Sequence, residues 1–218
     1  MKKVVLSLSG GADSTTLLAY YLDKRFEPTL VHFQYGSKHN PMEEKSVHLI
    51  KKHYGIESFY SIDLPFFSHF KSNLLKGQGE IPEGHYQESN MSLTAVPGRN
   101  LIFASILIGI AESIGAEIVA LGVHMGDHFI YADCRPRFIN DLQCLTLGIT
   151  DNRVKVQAPF LYKTKKDIIS LGFDLKTPYH LTRTCYKEEE KACGKCGSCV
   201  ERLEAFSLNG LEDPISYM

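Results

Sequence analysis

No apolar run in this sequence is long enough to cross a bilayer. The longest, from Leu101 to Ala111, is interrupted by Ser105 and Gly109. It falls well short of the roughly 20 residues a spanning helix needs and reads instead as a buried helix, so no membrane association is expected. Net charge is almost absent too: 24 Lys and Arg stand against 25 Asp and Glu, a formal −1. That balance offers no broad electrostatic footprint for nucleic acid, and a small polar ligand suits it better. Low-complexity tracts and internal repeats are lacking, which excludes disordered and fibrous classes. The apolar part of Met1 to Leu8 is too short for a signal peptide, and the expectation is a cytoplasmic chain in a reducing compartment.

What is present is a composition of 44% hydrophobic and 22% charged residues over 218 positions. This suits one globular domain with a small appendage. Residues 4–8 form a compact aliphatic run that ends in Ser-Gly-Gly, and residues 15–22 follow with helical apolar spacing. Strands are expected at 29–35, 58–64, 117–121 and 154–159. Helices are expected at 43–54, with Val47, Leu49 and Ile50 inward, and at 100–114, 137–147 and from 165 to 171. Alternation of this kind implies a doubly wound, mostly parallel, Rossmann-like α/β sheet covered on both faces, with its active site beyond the carboxyl ends of the strands. Over residues 65–97 periodicity is lost and Gly, Pro, His and Ser accumulate, so this stretch reads as a long excursion or lid. After Pro178 the composition becomes Cys-, Gly- and charge-rich, and the division expected is an α/β domain over 1–177 and a small helical metal subdomain over 178–218.

The segment Leu8-Ser9-Gly10-Gly11-Ala12-Asp13-Ser14-Thr15 joins the first strand to the first helix. Consecutive small residues let backbone N–H groups point into one concavity, and the helix that follows adds the positive end of its dipole. Phosphate is the natural guest, with Ser9 and Ser14 adding hydroxyl donors. Asp13 beside phosphates is repulsive unless a cation such as Mg²⁺ bridges them or the residue caps the helix. The loop lacks the Gly-Lys-Ser/Thr of a Walker A motif.

Cys185, Cys193, Cys196 and Cys199 have the spacing C-x7-C-x2-C-x2-C. Four thiolates at such spacing can converge on a tetrahedral, structural Zn²⁺. An iron–sulfur cluster is the competing reading, although the Cys-Pro that ends one common cluster motif is absent. Cys134 and Cys144 lie outside this spacing and default to small buried hydrophobes, with a nucleophilic role the alternative for Cys134 in its polar run, although no activating base is evident.

The Ser-Gly-Gly-Ala-Asp-Ser loop resembles that of the N-type ATP pyrophosphatases, which cleave ATP between its α and β phosphates to adenylate a substrate. Taken with Val96-Pro97-Gly98-Arg99-Asn100, Tyr131-Ala132-Asp133-Cys134-Arg135-Pro136, Thr164-Lys165-Lys166-Asp167-Ile168 and Ala192-Cys193-Gly194-Lys195-Cys196, it makes the chain similar to the 7-cyano-7-deazaguanine synthases. The likeness runs from Val4 to Asp213-Pro214. It implies a ligase that uses ATP and Mg²⁺ to turn 7-carboxy-7-deazaguanine and ammonia into the nitrile, and a chain that is often dimeric.

By position, Lys165 would contact phosphates, and Arg99 the nucleotide or the substrate carboxylate. Tyr35-Gly36-Ser37 follows the second strand, where the class cradles adenosine, a plain turn being the alternative. Asp133 would either accept hydrogen bonds from the guanine-like edge or cap a helix, and Asp127 and Arg135 are further substrate candidates. Ser37, Ala132 and the run Val123-His124-Met125-Gly126 depart from the family pattern around the substrate pocket. A relative that stops at the 7-amide or uses another acceptor would keep every ATP motif. The rivals are an adenylating tRNA-modifying enzyme and a zinc-stabilised nucleotide sensor without turnover.

Overall fold

The computed structural model describes residues 1–85 and 91–218. Five parallel strands form one sheet in the order β3-β2-β1-β4-β5. They are β1 (Lys3–Ser7), β2 (Glu27–Gln34), β3 (Phe59–Asp63), β4 (Ile118–Ala120) and β5 (Lys155–Gln157). The intervening helices are α1 (Ala12–Asp23), α2 (Asn40–Tyr54), α3 (Arg99–Ile114) and α4 (Pro136–Ile149), with α5 (Lys165–Asp174) and α6 (Gly197–Ser207) after the last strand. Because the central strand is buried on both faces, its run is continuously apolar. Val4 and Leu6 face Leu17, Leu18, Val47, Ile50 and Ile168 of α1, α2 and α5. Val5 faces Ala104, Leu107, Ala111, Ile139 and Leu142 of α3 and α4 on the other side.

Local chemistry sets the element ends. Gly55 and Gly115 close α2 and α3 in the left-handed conformation, and Thr164 with Asp167 forms a capping box that starts α5, each satisfying backbone groups the helix leaves open. Two expectations are corrected by helical geometry. Leu49 is 51% exposed while Val47 and Ile50 are fully buried, since a residue two positions from Val47 lies on the opposite side of the helix. Cys144 is exposed on α4 and is not a core residue, lying two positions from the buried Leu142 by the same geometry.

The excursion after β3 contributes short 3-10 turns at Pro65–His69 and Ser92–Thr94. Phe67, Leu74, Leu75 and Met91 from it are buried, and Glu83 bridges to Cys196. Residues 86–90 of the expected lid lie outside the described residues. The C-terminal segment returns onto the first helix: Ala12, Ile169, Tyr179, Ala205 and Phe206 cluster together, and Tyr179 Oη meets Thr16 Oγ1 at 2.8 Å. Arg202, fully buried, donates from Nε and Nη2 to Asp213 at 2.7 and 2.8 Å. Burying a guanidinium is tolerable only when its donors are met in this way.

Sheet order reverses beside β1. The chain steps out to β2 and β3, then returns to add β4 on the opposite side of β1, which opens a crevice between the carboxyl ends of β1 and β4.

Candidate active site at the sheet's switch point

A cavity of about 260 Å³ occupies that crevice, lined by Ser9, Gly11, Asp13 and Ser14 from the first loop and by residues of β2, α2, α3, the loop after β4, α5 and α6. The loop is built by its own hydrogen bonds. Ser9 Oγ accepts from Gly11 N at 3.2 Å and meets Ser14 Oγ at 3.1 Å, while Thr15 N and Oγ1 both donate to Gly11 O, at 3.1 and 2.8 Å. The amides of Ala12, Asp13 and Ser14 therefore precede the first helical bond of α1 and have no partner within the helix. Gly10 has φ +80°, and a Cβ on it would lie 2.8 Å from Ser46 Cβ and 3.0 Å from Glu43 O, so only glycine lets the loop sit this close to α2.

Opposite Asp13 stands Lys165, at the start of α5. Its Nζ lies 2.5 Å from Asp13 Oδ2 and 3.6 Å from Glu201 Oε2. Burial opposes ionisation of Asp13, but Lys165 and His124 outweigh it and hold the carboxyl below its usual range. Burial pushes Glu201 up, against the pull of Lys165 and His124. His124 Nδ1 accepts from Gly126 N at 3.2 Å, which leaves Nε2–H to point at Asp127 Oδ2, 3.5 Å away, and Asp13 Oδ2, 3.9 Å away. Asp13 Oδ1 is buried with no hydrogen-bond partner.

The other half of the cavity lies beneath β2 and α2. His32 Nδ1 donates to Leu8 O at 3.1 Å and presents an unpartnered Nε2. Burial pushes the Glu43 carboxyl up to about 8 despite Arg99 and Arg183, and burial with Arg99 holds His39 down to about 3. The Arg99 guanidinium carbon sits 6.0 Å from the Tyr35 ring centroid. Tyr35, Tyr186, Cys134 and Tyr131 are the main electrostatic neighbours of Arg99.

At the start of α6, the four cysteine sulfurs all lie within 4.8 Å of one another. A common centre about 2.3 Å from each sulfur requires sulfurs about 3.8 Å apart; Cys193 and Cys199 are at 3.9 Å. Backbone amides already point at the sulfurs: Lys187 N and Cys193 N at Cys185, Lys195 N and Cys196 N at Cys193. Donors so placed stabilise thiolates, and the set is fit to hold a metal ion.

Over residues 3–210 the chain matches the family described as queuosine biosynthesis protein QueC. The chain belongs to the QueC family. It is 40% identical to the 7-cyano-7-deazaguanine synthase of Marinomonas sp., covering 99% of this chain and 98% of that one. It is likewise 40% identical to the synthase of Psychromonas ingrahamii, covering 99% and 98%. Among solved structures it is similar to the NMN synthetase of Francisella tularensis, with TM-score 0.55 and 14% identity over 96% of this chain and 77% of that one. At such identity the likeness shows the fold alone.

Within this QueC chain the cavity brings together Ser9, Gly11, Asp13, Ser14, Tyr35, Arg99, Asp127 and Lys165 from the residues marked by sequence. Leu8, Ala12 and Thr15 are fully buried and Gly10 packs against α2, so none of the four lines the cavity. Asp133 and Arg135 do not line the cavity: Asp133 Oδ2 accepts from Asn100 N at 3.1 Å at the start of α3, and Arg135 Nε donates to His128 O at 2.8 Å. Cys134 is buried, its thiol pushed up by burial, and its Sγ accepts from Asn100 Nδ2 at 3.2 Å. Sequence reasoning missed His32, His39, Glu43, Arg183 and Glu201, and placed His124 near the substrate pocket only as part of the run Val123–Gly126; all six line the cavity. A usable signal existed for some of them. His39 and Glu43 open a helix directly after β2, and His124 follows β4, all at carboxyl ends of strands where such sheets bind ligands.

Proposed function

We propose that this chain is an ATP-dependent 7-cyano-7-deazaguanine synthase, which converts 7-carboxy-7-deazaguanine and ammonia into the nitrile for queuosine or a related deazaguanine product. The carrying observation is the convergence of the Ser9–Ser14 loop, the amino end of α1 and buried Lys165 in one cavity, which Arg99 also lines. Full-length similarity to chains named 7-cyano-7-deazaguanine synthase supports the substrate class.

In this reading the loop amides and the hydroxyls of Ser9 and Ser14 hold the diphosphate of ATP, and Lys165 donates to it as negative charge develops. Arg99 clamps the substrate carboxylate. A carboxylate oxygen attacks the α-phosphorus, the bond to diphosphate breaks, and the acyl-adenylate forms. Ammonia then attacks the carbonyl carbon, a C–N bond forms, AMP departs and a proton is released. A second ATP activates the amide oxygen in the same way. Loss of AMP and of the remaining two N–H protons completes the C≡N bond. Both rounds depend on placing two reactants and stabilising a leaving group, which fixed dipoles and cations do without a covalent nucleophile. Mg²⁺ would neutralise the phosphates when bound, and Asp13, with its unpartnered Oδ1, suits it as a ligand. Zn²⁺ held by Cys185, Cys193, Cys196 and Cys199 would be structural, because four protein ligands leave no open position. Residues 178–218 then form a zinc subdomain appended to the 1–177 domain.

The test is mass spectrometry of the product formed from 7-carboxy-7-deazaguanine, ATP, Mg²⁺ and ammonium. The nitrile is expected. Amide alone would remove the second activation, and unaltered acid would remove the substrate.

A further inference from the structure

A buried guanidinium and a buried carboxyl from different elements line the cavity with no direct ion pair between them, although Arg99 and Arg183 attract Glu43 at longer range. Arg99, on α3, makes no direct ion pair with a carboxylate among the described residues. Glu43, in the first turn of α2, receives only a long 3.4 Å bond from Asn40 Nδ2 on one oxygen, and the other lies 3.7 Å from His39, which stays neutral. Asn40 cannot turn to serve it better. Its amide nitrogen also donates to Phe33 O at 3.1 Å, and its oxygen accepts from Tyr35 N and Ser37 N at 3.1 and 3.0 Å. The Glu43 side chain keeps 14% exposure and lines the cavity. Beside it Arg183, 7% exposed, leaves Nε unpartnered, and both His39 and Arg183 line the same cavity. Buried polar atoms left open in this way are costly unless a ligand fills them.

The set matches a flat ligand that carries a carboxylate at one end and adjacent N–H donors at the other. A guanine-type edge offers a ring N–H and an exocyclic amine side by side, and a carboxylate accepts both at once. Asp133, the residue sequence reasoning put forward for this task, is engaged with Asn100 N and lies outside the cavity. The geometry points to Glu43 as the specificity residue that reads the guanine-like edge of the substrate, with His39 and Arg183 supporting it and Tyr35 and Tyr186 walling the ring. This assignment rests on the synthase reading above and deepens it.

The test compares kcat/KM for 7-carboxy-7-deazaguanine and for 7-carboxy-7-deazahypoxanthine, which lacks the exocyclic amine. Wild type should prefer the former by about a hundredfold, because its site is built to pair that amine. Glu43→Gln should lower kcat/KM for the guanine-type acid mainly through KM and shrink the preference to within about threefold. An undiminished preference in Glu43→Gln, or none in wild type, overturns the assignment. If Glu43→Gln does not fold, as melting would show, Asp133→Asn decides: a preference that survives there supports Glu43, and one that vanishes there overturns it. A wild type that consumes neither acid removes the synthase reading and this assignment together, whereas turnover without the predicted preference removes this assignment alone.

Discussion

Replacing Gly10 by alanine separates two costs that the Ser9–Ser14 loop combines. An alanine at φ +80° sits in the left-handed region, which costs about 1–2 kcal/mol for a residue with a Cβ. The added methyl would also lie 2.8 Å from Ser46 Cβ and 3.0 Å from the backbone oxygen of Glu43. Neither atom is the end of a flexible chain, so α2 or the loop must shift, at a further cost of about 1–3 kcal/mol. Gly55 provides the control. It has φ +65° but nothing within 4 Å of an added Cβ, so Gly55→Ala carries the backbone cost alone. For a chain of this size each kcal/mol moves Tm by about 2–4 °C, so Gly10→Ala should melt about 2–12 °C below Gly55→Ala. The chain has no tryptophan, and circular dichroism is the suitable probe of unfolding. AMP release should fall sharply in Gly10→Ala, since the shifted loop misplaces its amides, and stay near wild type in Gly55→Ala. Equal melting of the two variants with full turnover in both would refute the claim that the loop's fit against α2 sets the phosphate cup.

The other predictions concern charge and metal. Lys165→Met keeps the stem of the side chain and removes the ammonium, so AMP release should fall by about 10²–10³-fold; rates within about tenfold of wild type would exclude Lys165 from leaving-group stabilisation. Cys196→Ser should lose bound zinc by elemental analysis and melt at a lower temperature, because metal affinity is linked to folding. Full zinc content with unaltered melting would show that the four sulfurs do not form the site.

Much of the fold was legible because it rests on local signals. The aliphatic run before Ser9-Gly10-Gly11, the strand over Leu30, Val31 and Phe33, and the helix from Lys165 each carry their own signature within a few residues, and the loop and the cysteine quartet are contiguous enough to be read as chemistry. The sites of Lys165 and Arg99 were reached through resemblance, and the cavity contains both. Asp133 shows where such reading stops: a carboxylate before a proline can read a base or cap a helix, and the choice depends on which amide lies nearby, here that of Asn100 from a segment 33 residues away. The same holds for Glu43, His39 and Arg183, whose residue types are ordinary on a surface helix or loop. The sequence by itself determined the strand–loop–helix units, the small-residue loop at Ser9–Ser14 and the cysteine quartet, because short-range backbone geometry and residue spacing specify them. Only the tertiary structure decided which polar groups share the cavity and lack partners, because burial and pairing are properties of the space between distant segments.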